Sequence, residues 1–215
     1  MNMPAASIET IVTEKHSISL YIPDPAFIRN HYRQNKTAFP YWSQIWPAAI
    51  GLCQFLETHT TLLRDKTVLE LAAGLGLPSL LAAKYCKAIT MSDYLPEPVE
   101  MMKASIELNR LNNATACMLN WNDLPESIDA DLLLLSDINY EPEVFETAFR
   151  VILRFINNGS MVILSTPQRL MAKPFIERLL PYSSLQEEII VHANKEPIPV
   201  TLLVLTAQQK ITGKL

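Results

Sequence analysis

The sequence predicts an α/β fold: a seven-stranded, mostly parallel sheet, closed by a C-terminal antiparallel hairpin, with helices on both faces. Three observations predict it. From Lys66 onward, short β-branched or leucine-rich runs alternate with helical patterns. Each long helical stretch meets a stop signal: Asn112 and Asn113, then Asn158 and Gly159, then Pro181. The last two apolar runs are separated only by Asn194, Lys195, Glu196, Pro197 and Ile198, too few residues for a crossover helix, so they must pair as a hairpin.

In order, the strands are expected at Thr67–Leu71, Ala88–Ser92, Thr115–Leu119, Asp131–Ser136, Ser160–Ser165, Leu185–Ala193 and Pro199–Thr206. Helices are expected at Pro78–Tyr85, Glu97–Leu111, Glu143–Asn157 and Gln168–Leu180. The segment before Lys66 has a different style. Ile8–Ile22 alternates as one or two strands, and Pro47–Glu57 reads as an amphipathic helix with proline in its first turn. The 215 residues, 49% of them hydrophobic, suit a single domain. Residues 1–45 form an N-terminal extension or lid packed on the core, and residues 46–215 form the ligand-binding domain.

Composition narrows the function. A formal charge of -4 and a pI near 5.6 remove the simplest electrostatic case for a nucleic-acid partner, which needs a basic face. Met1–Thr13 lacks the basic start and apolar run of a secretory signal, and no apolar run is long enough to span a bilayer. A cytoplasmic protein without membrane contact is expected. Cys53, Cys86 and Cys117 are far apart and fit neither a disulfide framework nor a zinc cluster, so no metal is assigned. Oligomeric state is left open.

Four motifs carry the chemistry. The run Val68-Leu69-Glu70-Leu71-Ala72-Ala73-Gly74-Leu75-Gly76-Leu77-Pro78 takes a strand through a small-residue turn into a helix, so backbone can approach a ligand closely. Asp93, some two dozen positions after Glu70, ends the next strand. There a carboxylate can accept both hydroxyls of a ribose or, alternatively, cap a helix. In Leu119-Asn120-Trp121-Asn122-Asp123, the tryptophan can cover an adenine ring or simply close the core edge, and Asp123 can accept from an exocyclic amine. Finally, Leu134-Leu135-Ser136-Asp137-Ile138-Asn139-Tyr140 delivers Asp137 and Tyr140 to the carboxyl edge of the sheet. A carboxylate there can orient an ammonium and an aromatic face can tolerate a cationic product, although Asp137 would also serve as an N-cap.

Together with Trp46-Pro47-Ala48-Ala49, these motifs resemble the seven-β-strand (class I) lysine methyltransferase-like family, whose hallmark is a DxxY motif after the fourth strand. The resemblance runs from about Ala38 to Ala207. It implies a Rossmann-like sheet and S-adenosylmethionine as cofactor, leaving as S-adenosylhomocysteine. It also implies that Trp46, Glu70, Ala72, Ala73, Gly74, Asp93, Trp121 and Ser136 bind the cofactor, while Asp137 and Tyr140 shape the acceptor site. One departure stands out. The glycine usual after Glu-Leu is Ala72 here, which is harmless at negative φ and crowds the cofactor at positive φ.

Asp123, Glu126, Asp129, Asp131, Asp137, Glu141, Glu143 and Glu146 lie between Trp121 and Phe149 with no lysine or arginine among them. Negative potential at a cleft draws cationic substrates, which favours a protein lysine or a small cationic amine as acceptor over nucleic acid. His31, Tyr32, Arg33, Tyr41, Trp42, Ser43, Gln44 and Trp46 form a dense aromatic and polar stretch suited to a lid. A small-molecule amine or aromatic-nitrogen methyltransferase is the second reading, and a methyltransferase-fold binding module without turnover is the third.

Overall fold

The computed structural model describes residues 4–34, 39–193 and 196–207. Ala38, the His31 side chain and the turn at Asn194 and Lys195 lie outside the described residues. The elements are β1 (Ala6–Val12), β2 (Ser17–Pro23), α1 (Pro25–Gln34), α2 (Pro47–Thr58), β3 (Thr67–Leu71), α3 (Leu77–Ala82), β4 (Ala88–Asp93), α4 (Pro96–Leu108), β5 (Ala114–Met118), β6 (Leu132–Ser136), α5 (Phe145–Asn157), β7 (Met161–Pro167), α6 (Lys173–Leu179), β8 (Ser183–Ala193) and β9 (Glu196–Leu205).

Seven strands form one sheet in the order β5-β4-β3-β6-β7-β9-β8. Strands β3 to β7 are parallel, and β9 runs antiparallel to both β7 and β8. This is the sheet expected from the sequence.

Both faces are buried, which is why the central strands are apolar throughout rather than alternating with polar residues. Val68, Leu132, Leu134 and Ile163 pack on one side in a layer with α2, α3 and α4. Leu69, Leu133, Leu135 and Leu164 point the other way into a layer with α5 and α6. Helix α5 fits its layer because Ala148, Val151, Ile152, Phe155 and Ile156 recur at helical spacing and are all buried.

The amino-terminal alternation resolves into two strands. β1 and β2 pair antiparallel as a separate ribbon, and Ile18 and Leu20 of β2 are fully buried in the first layer. Polar bonds hold the ribbon down: the Ser19 amide donates to Asn109 Oδ1 at 3.3 Å, Asn109 Nδ2 donates back to the Ser19 carbonyl, and the Tyr21 amide donates to Ser105 Oγ at 3.0 Å. On the α2 side, Lys15 Nζ donates to the Glu57 carbonyl at 2.7 Å. Helix α1 was not among the elements the periodicity predicts.

One difference bears on function. The fourth expected helix does not begin at Gln168; strand β7 continues to Pro167, a single 3-10 turn covers Leu170–Ala172, and α6 starts at Lys173 with Pro174 in its first turn. Gln168 and Arg169 are therefore loop residues. Between β5 and β6, where the sequence places no helix, the chain forms a loop with one 3-10 turn at Trp121–Asp123, and Arg154 on α5 gathers it. Its guanidinium donates to the carbonyls of Leu124 at 3.0 Å, Pro125 at 2.6 Å, Glu126 at 3.0 Å and Ile128 at 3.0 Å.

Asn109→Ala removes both ribbon contacts and leaves the Ser19 groups without that partner. It is expected to cost about 1–3 kcal/mol in urea denaturation and to speed amide exchange across residues 17–23.

Candidate functional site

After β3 the chain crosses outward to β4 and β5, then returns to lay β6 on the other side of β3. The loops leaving β3 and β6 thus diverge, and ligands of open α/β sheets bind in the crevice this creates. A cavity of about 780 Å³ lies there, roomy enough for a nucleotide-sized ligand. All ten predicted site residues line it: Trp46, Glu70, Ala72, Ala73, Gly74, Asp93, Trp121, Ser136, Asp137 and Tyr140.

The turn after β3 forms the floor. Its backbone is left-handed at Ala72 (φ +53°), Gly74 (φ +56°) and Gly76 (φ +74°). It is held by bonds from the Ala73 amide to the Ser92 carbonyl at 2.8 Å and from the Ser92 hydroxyl to the Glu70 carbonyl at 2.9 Å. Gly76 is needed for packing as well as φ, since a Cβ would stand 2.9 Å from Met91 Sδ. Ala72 thus falls on the positive-φ side of the alternative drawn from the sequence, where a side chain carries a backbone penalty.

Asp93 is almost wholly buried. Its Oδ2 accepts from the Gly74 amide at 3.1 Å and its Oδ1 from the Leu95 amide at 3.3 Å. Burial pushes its carboxyl pKa up, and the backbone donors oppose that shift. Helix α4 starts after Leu95, so Asp93 ties the β3 turn to the β4 turn instead of capping the helix. Each oxygen keeps lone-pair capacity for hydroxyl donors in the cavity.

Glu70 is fully buried beside it, its Oε2 accepting from the Ser79 amide at 3.1 Å and from the Ser79 hydroxyl. That α3 amide serves Glu70, whereas the sequence suggests helix amides aimed at a ligand. Trp121 packs partly against the second core layer and partly onto the cavity. Asn120 and Asn122 join it in the wall, but Asp123 does not, because its short 3-10 turn carries it past the rim.

At the end of β6, Asp137 sits at φ +53° with its amide bonded to the Ser165 carbonyl at 2.9 Å. It does not cap a helix. Its carboxylate is gripped by Arg169, Nη1 to Oδ1 and Nη2 to Oδ2 at 2.9 Å. Arg169 lines the same cavity and is the charged wall residue that sequence reasoning missed. Pro174 was the available signal, since proline at a helix start places Arg169 outside α6.

Tyr140 faces the roof. Its ring lies 4.4 Å from that of Tyr41, and Tyr41 in turn neighbours Trp46, whose indole N–H donates to the Tyr41 carbonyl at 2.7 Å. Burial, with Glu141 second, pushes the Tyr140 hydroxyl up to about 12. Tyr41, Trp42, Gln44 and Trp46 of the proposed lid all line the cavity.

The acidic segment focuses less charge than its composition suggests. Asp137 and Glu141 reach the cavity, and Asp137 is neutralised by Arg169. Asp131 is spent on the Thr67 amide and hydroxyl, both at 2.7 Å, and Glu146 pairs with Arg178. Among the described residues, no group of three or more metal-ligating side chains is found.

Residues 33–180 match the family model described as lysine methyltransferase. The chain belongs to this lysine methyltransferase family. It is 37% identical over 112 residues to the Xenopus laevis histone-arginine methyltransferase METTL23, covering 49% of this chain and 48% of that protein. It is 31% identical over 129 residues to the Xenopus tropicalis protein N-lysine methyltransferase METTL21A, covering 58% and 60% respectively. The chain spans about half the length of most of the curated relatives it matches first. Among solved structures, Pyrococcus horikoshii TYW2 in complex with MeSAdo superposes with a TM-score of 0.58 at 19% identity, covering 93% of this chain and 72% of that one. That likeness fixes the Rossmann-like methyltransferase architecture.

The two alanines of the turn should respond oppositely to glycine. Ala72→Gly relieves the left-handed penalty and is expected to stabilise by about 0.5 kcal/mol after the entropy of the unfolded chain is counted. Ala73→Gly, at negative φ, is expected to destabilise by about 0.5–1 kcal/mol. Urea titration of both variants checks the pair.

Proposed function

We propose that this chain is an S-adenosylmethionine-dependent N-methyltransferase acting on a lysine side chain of a protein. The observation that carries the reading is the convergence of ten residues from five separate segments on one cavity at the sheet's switch point, in a member of the lysine methyltransferase family.

The donor set fits the cofactor. Asp93 offers a carboxylate already oriented by two backbone amides, which suits ribose hydroxyls. Trp121 offers an apolar face for the adenine, and Glu70 Oε1 is buried without a hydrogen-bond partner among the described residues. Gly74 admits close approach, while Ala72, Ala73, Ser136 and Trp46 complete the walls. When bound, S-adenosylmethionine supplies a methyl group activated by its sulfonium.

What the protein adds is placement. Tyr41, Tyr140 and Trp46 line the acceptor side with ring faces that tolerate a cationic amine. Asp137, held in one orientation by Arg169, gives that amine a fixed acceptor, so proximity supplies most of the acceleration. The -4 net charge favours a protein acceptor over nucleic acid, and the unpaired cysteines fit the cytoplasm. No helix among the described residues is long and apolar enough to cross a membrane. Residues 1–45 act as an extension of the methyltransferase domain, residues 46–215.

Arginine is the second acceptor to test. The relatives named as histone-arginine methyltransferases are 34–37% identical to this chain, against 29–32% for those named as lysine methyltransferases.

Incubation with radiolabelled S-adenosylmethionine and cell extract, followed by mass spectrometry of labelled protein, tests both. Methyl-lysine is expected; methyl-arginine selects the second reading, and label confined to small molecules rejects both. Asp93→Ala should weaken cofactor binding roughly tenfold or more by calorimetry, the loss of one to two hydrogen bonds to a charged group. Asp137→Asn should leave that affinity within about twofold and cut transfer at least tenfold. Wild-type turnover by Asp137→Asn would contradict its role.

A further inference from the structure

Four carboxyl side chains line the cavity: Glu70, Asp93, Asp137 and Glu141. Three are already engaged, Glu70 by Ser79, Asp93 by the amides of Gly74 and Leu95, and Asp137 by Arg169. Glu141 is different. It is exposed, and among the described residues it takes part in no ion pair. What meets it is the Tyr41 hydroxyl, a donor without charge. Its backbone is nevertheless fixed, because the Glu141 carbonyl accepts from the Val144 amide at 3.2 Å and Pro142 opens the 3-10 turn that follows. A carboxylate held at a cavity rim with no cation paired to it sets a negative potential there.

The surfaces around it are aromatic. Phe39, Tyr41, Tyr94 and Tyr140 all line the cavity, and Phe39 and Tyr94 are 48% and 53% exposed. Three of these rings stand in a row with Tyr32 of α1. Tyr32 meets Phe39 edge-on at 6.0 Å, Phe39 meets Tyr41 in the same way at 5.0 Å, and Tyr41 lies 4.4 Å from Tyr140. The charge of Glu141 reaches the tyrosines. Burial first, then Glu141, pushes up the Tyr41 and Tyr140 hydroxyls; at Tyr94 burial leads, followed by Asp93 and then Glu141. Ring faces attract a cation, and a carboxylate among them adds to that attraction. The same carboxylate repels a phosphate and would lose its water under an apolar partner, so neither a nucleic acid nor an apolar side chain fits here.

We propose that Glu141 and the rings of Phe39, Tyr41, Tyr94 and Tyr140 form the entry seat of the acceptor, capturing the cationic side chain of the substrate protein at the rim before it reaches Asp137. Capture there draws the acceptor in. Placing it against the methyl donor falls to the deeper groups, so the seat acts on acceptor affinity and not on cofactor binding or on the rate at saturation. The inference rests on the proposal that this cavity methylates a protein amine.

With the full chain and saturating S-adenosylmethionine, the initial rate of radiolabel transfer to protein follows kcat/KM in dilute cell extract and approaches kcat in concentrated extract. Glu141→Gln is expected to slow transfer roughly fivefold in dilute extract, the upper end for losing an exposed ion pair, and to approach the wild-type rate in concentrated extract. Raising salt from about 0.05 to about 0.3 M should slow the wild type more than Glu141→Gln. Glu141→Asp should recover much of the loss. Phe39→Leu keeps an apolar side chain but no ring face; it should slow dilute transfer by about two- to fivefold, and Phe39→Trp by less. Tm checks folding, and S-adenosylhomocysteine affinity by calorimetry should stay within about twofold of wild type in Glu141→Gln. The inference is overturned if Glu141→Gln slows both extracts equally, keeps the full salt dependence or loses cofactor affinity, or if Phe39→Leu matches the wild type. If the wild-type chain binds S-adenosylhomocysteine yet labels no protein, the protein-acceptor assignment itself falls, and the inference with it.

Discussion

The placement of β3 between β4 and β6 governs the upper edge of the sheet. Because the chain leaves β3 toward one side and later returns on the other, no connection roofs the gap between the β3 and β6 loops. Packing both faces with helices then leaves that edge as the open end of the sandwich. The Glu70 turn, Asp93, Trp121 and the Asp137 loop meet there because each follows a strand whose length is set by the same two apolar layers. The roof comes from elsewhere: Tyr41 to Trp46 reaches over the gap, and the Ser165 hydroxyl donates to the Ala48 carbonyl at 2.7 Å, pinning the start of α2 to β7.

Several groups around this edge are costly for folding. Ala72 and Asp137 adopt left-handed backbone that a side chain disfavours, and Asn139, inside the Asp137–Tyr140 segment, is fully buried with neither amide atom partnered among the described residues. Residues in such states persist only where surrounding structure over-determines them. Here the double grip of Arg169 on Asp137 and the bond from the Asp137 amide to Ser165 supply that constraint. The lower edge also holds left-handed residues, Asp65, Arg110 and Gly159, but there Gly159 would meet nothing within 4 Å if it carried a Cβ.

Much of this was legible in the sequence. Leucine runs bounded by turn residues marked the strands to within two or three positions, since burial on both faces leaves no alternative composition. The spacing of Glu70, Asp93, Trp121 and Asp137 placed four strand ends correctly because strand length and crossover length vary little. Periodicity failed where side chains, not elements, decide. Helical spacing extended α6 back over Arg169, hiding its pairing with Asp137. Counting acids between Trp121 and Phe149 suggested a strongly negative cleft, but Asp131 and Glu146 find partners away from the cavity. Linear charge density does not reveal which way a carboxylate points.

Arg154 deserves its place beside these site residues even though it touches no part of the cavity wall. Four carbonyls converge on its planar fork, a geometry that an ammonium with its single charge centre could not reproduce. The stretch it gathers follows directly on Trp121. The indole against which a base would lie therefore takes its bearing from α5, a helix on the far flank of the sheet. A conservative swap to lysine, distant from any ligand, would unfasten the aromatic wall while sparing every residue that lines the chamber.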